Sequence, residues 1–241
     1  MGLPLVRAKS ILELMVTLAM GAAAVFMIVR MWDAPGANAG PRPITRALED
    51  ISSRGLSTST RDAASAGNEV APVVLIEYSD FECPYCARYA RGTYEQIQRE
   101  FVATGRVRYV FRNYPLERIH SSAFAAARAA VCAQQQHRFM EMRSYLFANS
   151  QALASIDMSQ AGAAVGADRA LFTSCLIEAG ASVVESEKSE ASRLGVTSTP
   201  TFFIGKRKAD GTIRLITRIP GAMDYSYFKR GLDSALAQKP E

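Results

Sequence analysis

Continuous and alternating runs of apolar residues predict a strand, a helix and a second strand in the middle of the chain. The β-branched run Val73 to Tyr78 predicts a buried strand, and apolar residues at helical spacing predict a helix from Pro84 to about Thr104. Arg106 to Arg112 alternates basic and apolar side chains, which predicts another strand. Because a helix connects the two strands, we expect them to be parallel.

The pattern after this unit is helical until a hairpin near the end. Helices are predicted at Ser121 to Ser150, Met158 to Val165, Arg169 to Ala179 and Val183 to Leu194. Strands are predicted at Thr201 to Ile204 and Thr212 to Thr217, around a turn at Lys208 to Gly211, and a last helix at Tyr225 to Ala237. The predicted order is therefore β, α, β, several helices, β, β, α, an α/β fold.

A long apolar segment lies near the N-terminus. Ile11 to Met31 is long enough to span a bilayer as a helix, and Arg7 and Lys9 precede it, so we expect the N-terminus in the cytoplasm and the bulk of the chain outside. Ala37-Asn38-Ala39 resembles a cleavage site, so a cleaved signal peptide is the alternative to an uncleaved anchor. Both alternatives predict a periplasmic, or more generally extracytoplasmic, domain.

Composition divides the rest of the chain into a linker and one domain. We expect an anchor or signal at 1–32, an Ala-, Gly-, Pro- and Ser-rich linker at 33–69, and a folded domain at 70–241 with a helical insertion at about 117–195. The 241 residues are 49% apolar and 21% charged, as in globular proteins. The net charge of +5 is scattered along the chain and not interleaved with aromatic residues, which argues against nucleic-acid binding.

The motif Cys83-Pro84-Tyr85-Cys86 follows the first predicted strand and opens the first predicted helix. Unpaired backbone N–H groups and the positive end of the helix dipole favour a thiolate at such a position. Pro84 suits the first helical position, where its missing N–H has no partner to lose. By itself this motif fits either a redox-active dithiol or half of a zinc site.

The element order, this motif and a Thr199-Pro200 pair directly before the hairpin together resemble the DsbA-like branch of the thioredoxin superfamily. The resemblance covers about residues 70–238. It implies a thioredoxin fold with an inserted helical domain, and the activity of a thiol:disulfide oxidoreductase that uses Cys83 and Cys86. It also implies a cis Pro200 facing the dithiol, with the Thr199 backbone left to pair with an extended substrate peptide.

Glu77 is a carboxylate in the middle of the apolar first strand, which requires a partner or a function. The family has an acidic residue at this point, so the resemblance makes Glu77 a candidate acceptor for the Cys86 proton. A salt-bridged strand residue is the alternative. Asp80 and Glu82 are expected to be surface residues that only modulate the dithiol.

Tyr85 bears on the redox potential of the pair. DsbA-type strong oxidases often carry His between the cysteines, and a neutral phenol cannot supply the positive charge of an imidazolium. We therefore expect a milder oxidant, although Pro84 and Tyr85 still shape the thiolate environment.

Two more cysteines, Cys132 and Cys175, lie in apolar helical segments. They are either buried free thiols or, as in some relatives of the DsbA-like branch, a structural disulfide that joins two helices. A zinc site of Cys83, Cys86, Cys132 and His137 is possible by residue type, but it leaves Thr199-Pro200 unexplained. We expect no metal and no cofactor, and a helix-start role for His120.

The expected function is the formation of disulfides in unfolded or reduced exported proteins. The resemblance implies a membrane redox partner of the DsbB kind. A disulfide isomerase or reductase is the alternative within this class, and a tethered peptide-binding chaperone is the alternative outside it. Isomerases of this superfamily usually dimerise through a separate N-terminal domain, which residues 33–69 are too short to supply, so we expect a monomer.

Overall fold

A seven-stranded mixed sheet organises residues 48–238, the part of the chain that this computed structural model describes. The strands are β1 (Glu49–Asp50), β2 (Ser57–Thr58), β3 (Ala64–Ala66), β4 (Val73–Ser79), β5 (Val107–Asn113), β6 (Thr201–Arg207) and β7 (Ile213–Pro220). The helices are α1 (Pro84–Arg91), α2 (Thr93–Ile97), α3 (Ala123–Gln134), α4 (Phe139–Ala148), α5 (Met158–Ala164), α6 (Arg169–Ile177), α7 (Gly180–Arg193) and α8 (Tyr225–Ala237).

The central strand β4 is buried along its whole length because it has neighbours on both edges and on both faces. It pairs parallel with β5 and antiparallel with β6, in the order β1-β7-β6-β4-β5-β3, and β2 also pairs with β7. Leu75 belongs to an apolar cluster with α1, α8 and the inserted helices, whereas Val74, Ile76 and Tyr78 belong to a second cluster. The predicted α/β fold and the parallel central strands are confirmed.

The first helix is interrupted where the sequence predicts one helix to about Thr104. It ends at Arg91, because Gly92 has φ −131° and ψ −77°, and the chain continues as α2 and a π-helical turn at Gln98–Val102. Glycine adopts this backbone conformation without the steric restriction of a side chain. The apolar spacing continues through the break because Tyr89, Tyr94 and Phe101 all face the same core.

Five helices, α3 to α7, lie between β5 and β6. The predicted single helix at Ser121 to Ser150 is wrong, because two helices meet at residues 135–138, where His137 has a φ of +59°. The Ala-rich composition extends across this turn, so apolar spacing alone does not reveal it.

The predicted linker 33–69 is wrong for its last part. Residues 49–66 contribute β1, β2 and β3, which join both edges of the sheet through pairs such as Glu49 with Arg218 and Ala64 with Phe111. Strands of two or three residues are too short to show a period of two.

The predicted membrane segment 11–31 and the alternative cleavage site at Ala37 to Ala39 lie outside the described residues. Within residues 48–238, no helix has the length and apolar character needed to cross a bilayer.

Candidate active site

Cys83 lies at the junction between the central strand and the first helix. It caps α1 with extended backbone angles, φ −69° and ψ 120°, and Pro84 occupies the first helical position. The N–H of Cys83 donates to the carbonyl oxygen of Asp80 at 3.2 Å, which closes a tight turn after β4. Cys83 is only 4% exposed, whereas Tyr85 is 56% exposed, so the motif presents the tyrosine to solvent and covers most of the sulfur.

The two thiols of the motif are free and have opposite pKa shifts. The pKa of Cys83 is lowered to about 6, first by the hydrogen bond from the Cys86 thiol and further by Thr199 and the backbone N–H groups of Cys86 and Tyr85. Burial and the neighbouring charges of Cys83 and Glu77 raise the pKa of the fully buried Cys86. At neutral pH the first thiol is therefore ionised and the second is protonated.

Thr199-Pro200 faces this pair from the loop before β6. The Thr199–Pro200 peptide bond is cis, and the Sγ atom of Cys83 lies 3.5 Å from the carbonyl oxygen of Thr199. Within residues 48–238, the Thr199 N–H donates to no other group. The loop thus offers an unpaired backbone donor close to the Cys83 sulfur.

Glu77 is fully buried in the middle of β4, opposite Phe111 of β5 and Phe202 of β6. Its Oε2 atom accepts a hydrogen bond from the Tyr109 hydroxyl and lies 3.6 Å from an Nη atom of Arg143. Its Oε1 atom has no hydrogen-bond partner among the described residues. Burial raises the pKa of Glu77, and the charge of Arg143 partly opposes that shift. A buried carboxyl with a raised pKa and a free oxygen can accept and return a proton.

Arg143 is a residue of this site that the sequence reasoning missed. It lies on α4 and is 3% exposed, with its guanidinium carbon 4.1 Å from the ring centre of Tyr94 and 5.2 Å from that of Phe147. A basic residue within the buried apolar face of α4 was the available signal, because a buried charge needs a partner. Arg143 joins the inserted helices to the strand that carries Glu77.

Asp80 is buried, 1% exposed, so its predicted surface position is wrong. Its carboxylate accepts hydrogen bonds from the N–H groups of Glu82 and Leu116, both at 2.8 Å, and pairs with His120 Nδ1 at 2.8 Å. Three donors compensate for the lost hydration of this carboxylate, which permits its burial. His120 is therefore a partner of Asp80.

Glu82 has a similar role beside Asp80. One of its carboxylate oxygens accepts a hydrogen bond from the N–H of Ser122 at 2.6 Å, directly before α3. Glu82 is half-buried, so the predicted exposure is only partial. Through these hydrogen bonds, Asp80 and Glu82 connect the loop before Cys83 to the segment that precedes α3.

Cys132 and Cys175 form a disulfide between α3 and α6, with their Cα atoms 5.6 Å apart. A Cβ atom at Gly180 would lie 3.1 Å from the Cys132 sulfur, so glycine there allows α7 to approach the bridge closely. The disulfide removes Cys132 from the considered zinc site. Among the described residues, no cluster of three or more His, Cys, Asp and Glu side chains is arranged to hold a metal ion.

Several solved structures share this architecture. The α-DsbA1 of Wolbachia pipientis has a TM-score of 0.61 at 22% identity and covers 73% of this chain and 92% of its own. BdbD from Bacillus subtilis has a TM-score of 0.61 at 19% identity and covers 76% of this chain and 99% of its own. The catalytic domain of Proteus mirabilis ScsC has a TM-score of 0.57 at 21% identity, covering 73% and 90%. These similarities are similarities of fold.

Curated relatives match one part of much longer proteins. The Na(+)/H(+) antiporter NhaA 1 of Mycobacterium sp. strain KMS is 36% identical over 148 residues, which are 60% of this chain and 24% of that protein. NhaA 3 of Salinispora tropica is 36% identical over 147 residues, 60% of this chain and 22% of that protein. This chain thus spans about a quarter of the length of the curated relatives that it matches.

A sequence model described as thioredoxin matches residues 59–217, more than half of the 241 residues. The matched region contains the dithiol, Glu77, Thr199-Pro200 and the inserted helices. The chain therefore belongs to the thioredoxin family, and the predicted thioredoxin fold with an inserted helical domain, in its DsbA-like form, is confirmed.

Proposed function

We propose that this chain is a thiol:disulfide oxidoreductase that forms disulfides in reduced exported proteins, outside the cytoplasm, through Cys83 and Cys86. The opposite pKa shifts of the two thiols support this proposal most strongly. The pKa of Cys83 is lowered to about 6, and the pKa of Cys86 is raised. A stabilised Cys83 thiolate is a good leaving group. It also stabilises the reduced form of the enzyme, which makes the disulfide form an oxidant.

The proposed reaction begins with the disulfide form of the motif. A client thiolate attacks the Cys83 sulfur, the Cys83–Cys86 bond breaks, and Cys86 leaves as a thiolate that takes up a proton. A second client thiolate then attacks the client sulfur of this mixed disulfide, and Cys83 leaves as a thiolate. The client loses two electrons and two protons and gains a disulfide. The enzyme takes up the two electrons and is left reduced, with Cys86 protonated and Cys83 as a thiolate, and the second proton goes to solvent.

Glu77 is the proposed partner for the Cys86 proton. Cys86 is fully buried, so bulk water does not readily supply or remove its proton. The charge of Glu77 acts on the pKa of Cys86, and its Oε1 atom has no hydrogen-bond partner among the described residues. Glu77 would give a proton to Cys86 as it leaves and accept that proton when the disulfide reforms.

Thr199 and Pro200 are the proposed binding site for the client. An extended peptide would pair with the free N–H of Thr199, close to the Cys83 sulfur. Because main-chain hydrogen bonds do not depend on side-chain identity, this mode tolerates many client sequences.

We further propose an extracytoplasmic location, with residues 11–31 as an uncleaved anchor in the inner membrane, and a monomeric enzyme. The support is the apolar length of that segment and the basic residues before it. Each catalytic cycle leaves the enzyme reduced, so turnover requires an oxidant. A membrane redox protein of the DsbB kind is the proposed partner.

A disulfide reductase or isomerase is the second candidate, and Tyr85 favours it. This side chain is exposed between the cysteines and brings no positive charge to the Cys83 thiolate. A weaker stabilisation of the thiolate moves the potential away from the strong oxidases, at about −120 mV, and toward thioredoxin, at about −270 mV.

A redox titration of the purified protein against glutathione, paired with the oxidative refolding of reduced ribonuclease, tests the proposal. The proposal expects a potential above about −200 mV and stoichiometric oxidation of the ribonuclease by the disulfide form. Cys83→Ala is the control and should oxidise nothing. A potential near −270 mV without ribonuclease oxidation would reject the oxidase and favour the reductase.

A further inference from the structure

A basic pocket of about 240 Å³ lies at the end of the sheet opposite the dithiol. Arg108, opposite Val74 near the start of β4, and Arg207, at the end of β6, both line it. The dithiol follows the other end of β4, so the pocket is separate from the active site.

Arg108 is 8% exposed and has only weak compensation for its charge. Its two Nη atoms donate to the neutral hydroxyl groups of Thr60, at 3.4 Å, and Ser65, at 3.0 Å. The carboxylate of Glu69 is 3.9 Å away on a side chain that is 84% exposed, where an ion pair contributes little. Burial lowers the pKa of Arg108, the charge of Glu69 partly opposes that shift, and the charge of Arg207 adds to it.

Arg207 brings a second guanidinium with an unused donor. Its Nε atom donates to the carbonyl oxygen of Ala71 at 3.3 Å, but its buried Nη2 atom has no hydrogen-bond partner among residues 48–238. The nearby carboxylate of Asp210 instead accepts from the N–H and hydroxyl of Thr212, at 2.9 and 2.6 Å, and lies 3.8 Å from Lys208. A buried donor without an acceptor is rare in folded proteins and costs stability.

We propose that this pocket binds a small oxoanion, a phosphate or carboxylate group, between Arg108 and Arg207. Such a group supplies the acceptor that Nη2 of Arg207 lacks and the negative charge that Arg108 lacks. Guanidinium groups bind oxoanions through paired, charge-assisted hydrogen bonds. Arg61, which also lines the pocket, adds a third positive charge.

Calorimetric titration of the full chain with inorganic phosphate, and separately with acetate, tests this proposal. We expect saturable binding with one site per chain, and Arg207→Gln should weaken it at least about tenfold. Arg54→Gln removes the same charge from an exposed arginine outside the pocket and should leave the affinity unchanged. Tighter binding of phosphate identifies a phosphate-bearing ligand, and tighter binding of acetate identifies a carboxylate.

Glu69→Gln should change the phosphate affinity in the opposite direction from Arg207→Gln. It should not disturb folding, because the Glu69 side chain is exposed. Removing the competing carboxylate should tighten phosphate binding about two- to fivefold. The proposal is overturned if neither anion binds saturably, or if Arg207→Gln and Glu69→Gln both bind phosphate with the affinity of the unaltered chain.

Discussion

The two cysteine pairs of this chain have the same side-chain chemistry and lie in the same apolar cluster, but they differ in their polar neighbours. Cys83 and Cys86 are free at the start of a helix, beside the unpaired N–H of Thr199 and the buried Glu77. Cys132 and Cys175 are bonded to each other between two helices of the insertion. Because backbone N–H groups at a helix start favour a thiolate, polar neighbours rather than burial distinguish the pair that we propose to react from the structural pair.

The largest expected effect is the loss of thiol:disulfide exchange in Cys83→Ala. This change removes the only thiol of the motif whose pKa is lowered, to about 6, so no thiolate is left to form the mixed disulfide. The rate of reduction or oxidation of a model peptide should fall to the uncatalysed rate, while the melting temperature changes little. A variant that keeps substantial exchange would show that the comparison assigns the wrong pair.

The matched change in the other pair should have the reverse outcome. Replacing both Cys132 and Cys175 with Ala opens a loop of 43 residues, which costs about 4 kcal/mol of the free energy of unfolding in the chain-entropy model. Denaturant unfolding measures this loss, and the rate of exchange below the transition should stay within about twofold. A strong loss of exchange in the folded variant would contradict a purely structural bridge.

Much of this contrast could be predicted from local sequence. The strand before Cys83, the proline after it and the apolar neighbours of Glu77 are all short-range features, and they predicted the junction and the buried acid. The helical segments around Cys132 and Cys175 likewise predicted two buried sulfurs. Local pattern is informative here because each feature depends on one element and its immediate neighbours.

The partners of the buried charges could not be predicted in the same way. Arg143 reaches Glu77 across 66 residues of chain, and His120 reaches Asp80 only because the loop after β5 folds back. A single sequence shows that a charge is buried, not which distant residue compensates for it. The short strands at 49–66 were not predicted for a related reason. They are strands because they pair with β5 and β7, and their own sequence shows no strand pattern.

A smaller effect is expected when the reactive pair loses its acid. Glu77→Gln should slow exchange about 10²-fold at neutral pH, because the buried Cys86 thiol loses its proton partner. The difference in exchange rate between Glu77→Gln and the unaltered chain should shrink as the pH rises, since hydroxide then removes the Cys86 proton. Stopped-flow kinetics across pH 5 to 9 measures the two rates. A rate difference that is constant with pH would indicate a structural role alone.

Glu187→Gln is the matched control for this prediction. Glu187 is also a buried carboxylate, but it accepts hydrogen bonds from the N–H and side chain of Asn113 and from Arg112. Disturbing this network should cost stability, up to about 3–5 kcal/mol, and leave the pH profile of exchange unchanged.

The smallest effect is expected from the residue between the cysteines. Tyr85→His should add positive charge beside the Cys83 thiolate and shift the equilibrium with glutathione about tenfold toward the reduced enzyme, equivalent to about 30 mV. Tyr85→Phe keeps the position neutral and should change nothing measurable. Equal shifts in the two variants would show that charge at this position does not set the potential.

The fold gives Cys83, and not Cys86, a lowered pKa. Titration of the thiolate absorbance near 240 nm in the reduced protein, from pH 4 to 10, measures this difference. We expect one ionisation with a midpoint near pH 6, lost in Cys83→Ala and kept in Cys86→Ala, although weaker hydrogen bonding should raise its midpoint in the latter. A first midpoint near the value of about 8.5 for an unperturbed cysteine, or one that survives in Cys83→Ala, would contradict it.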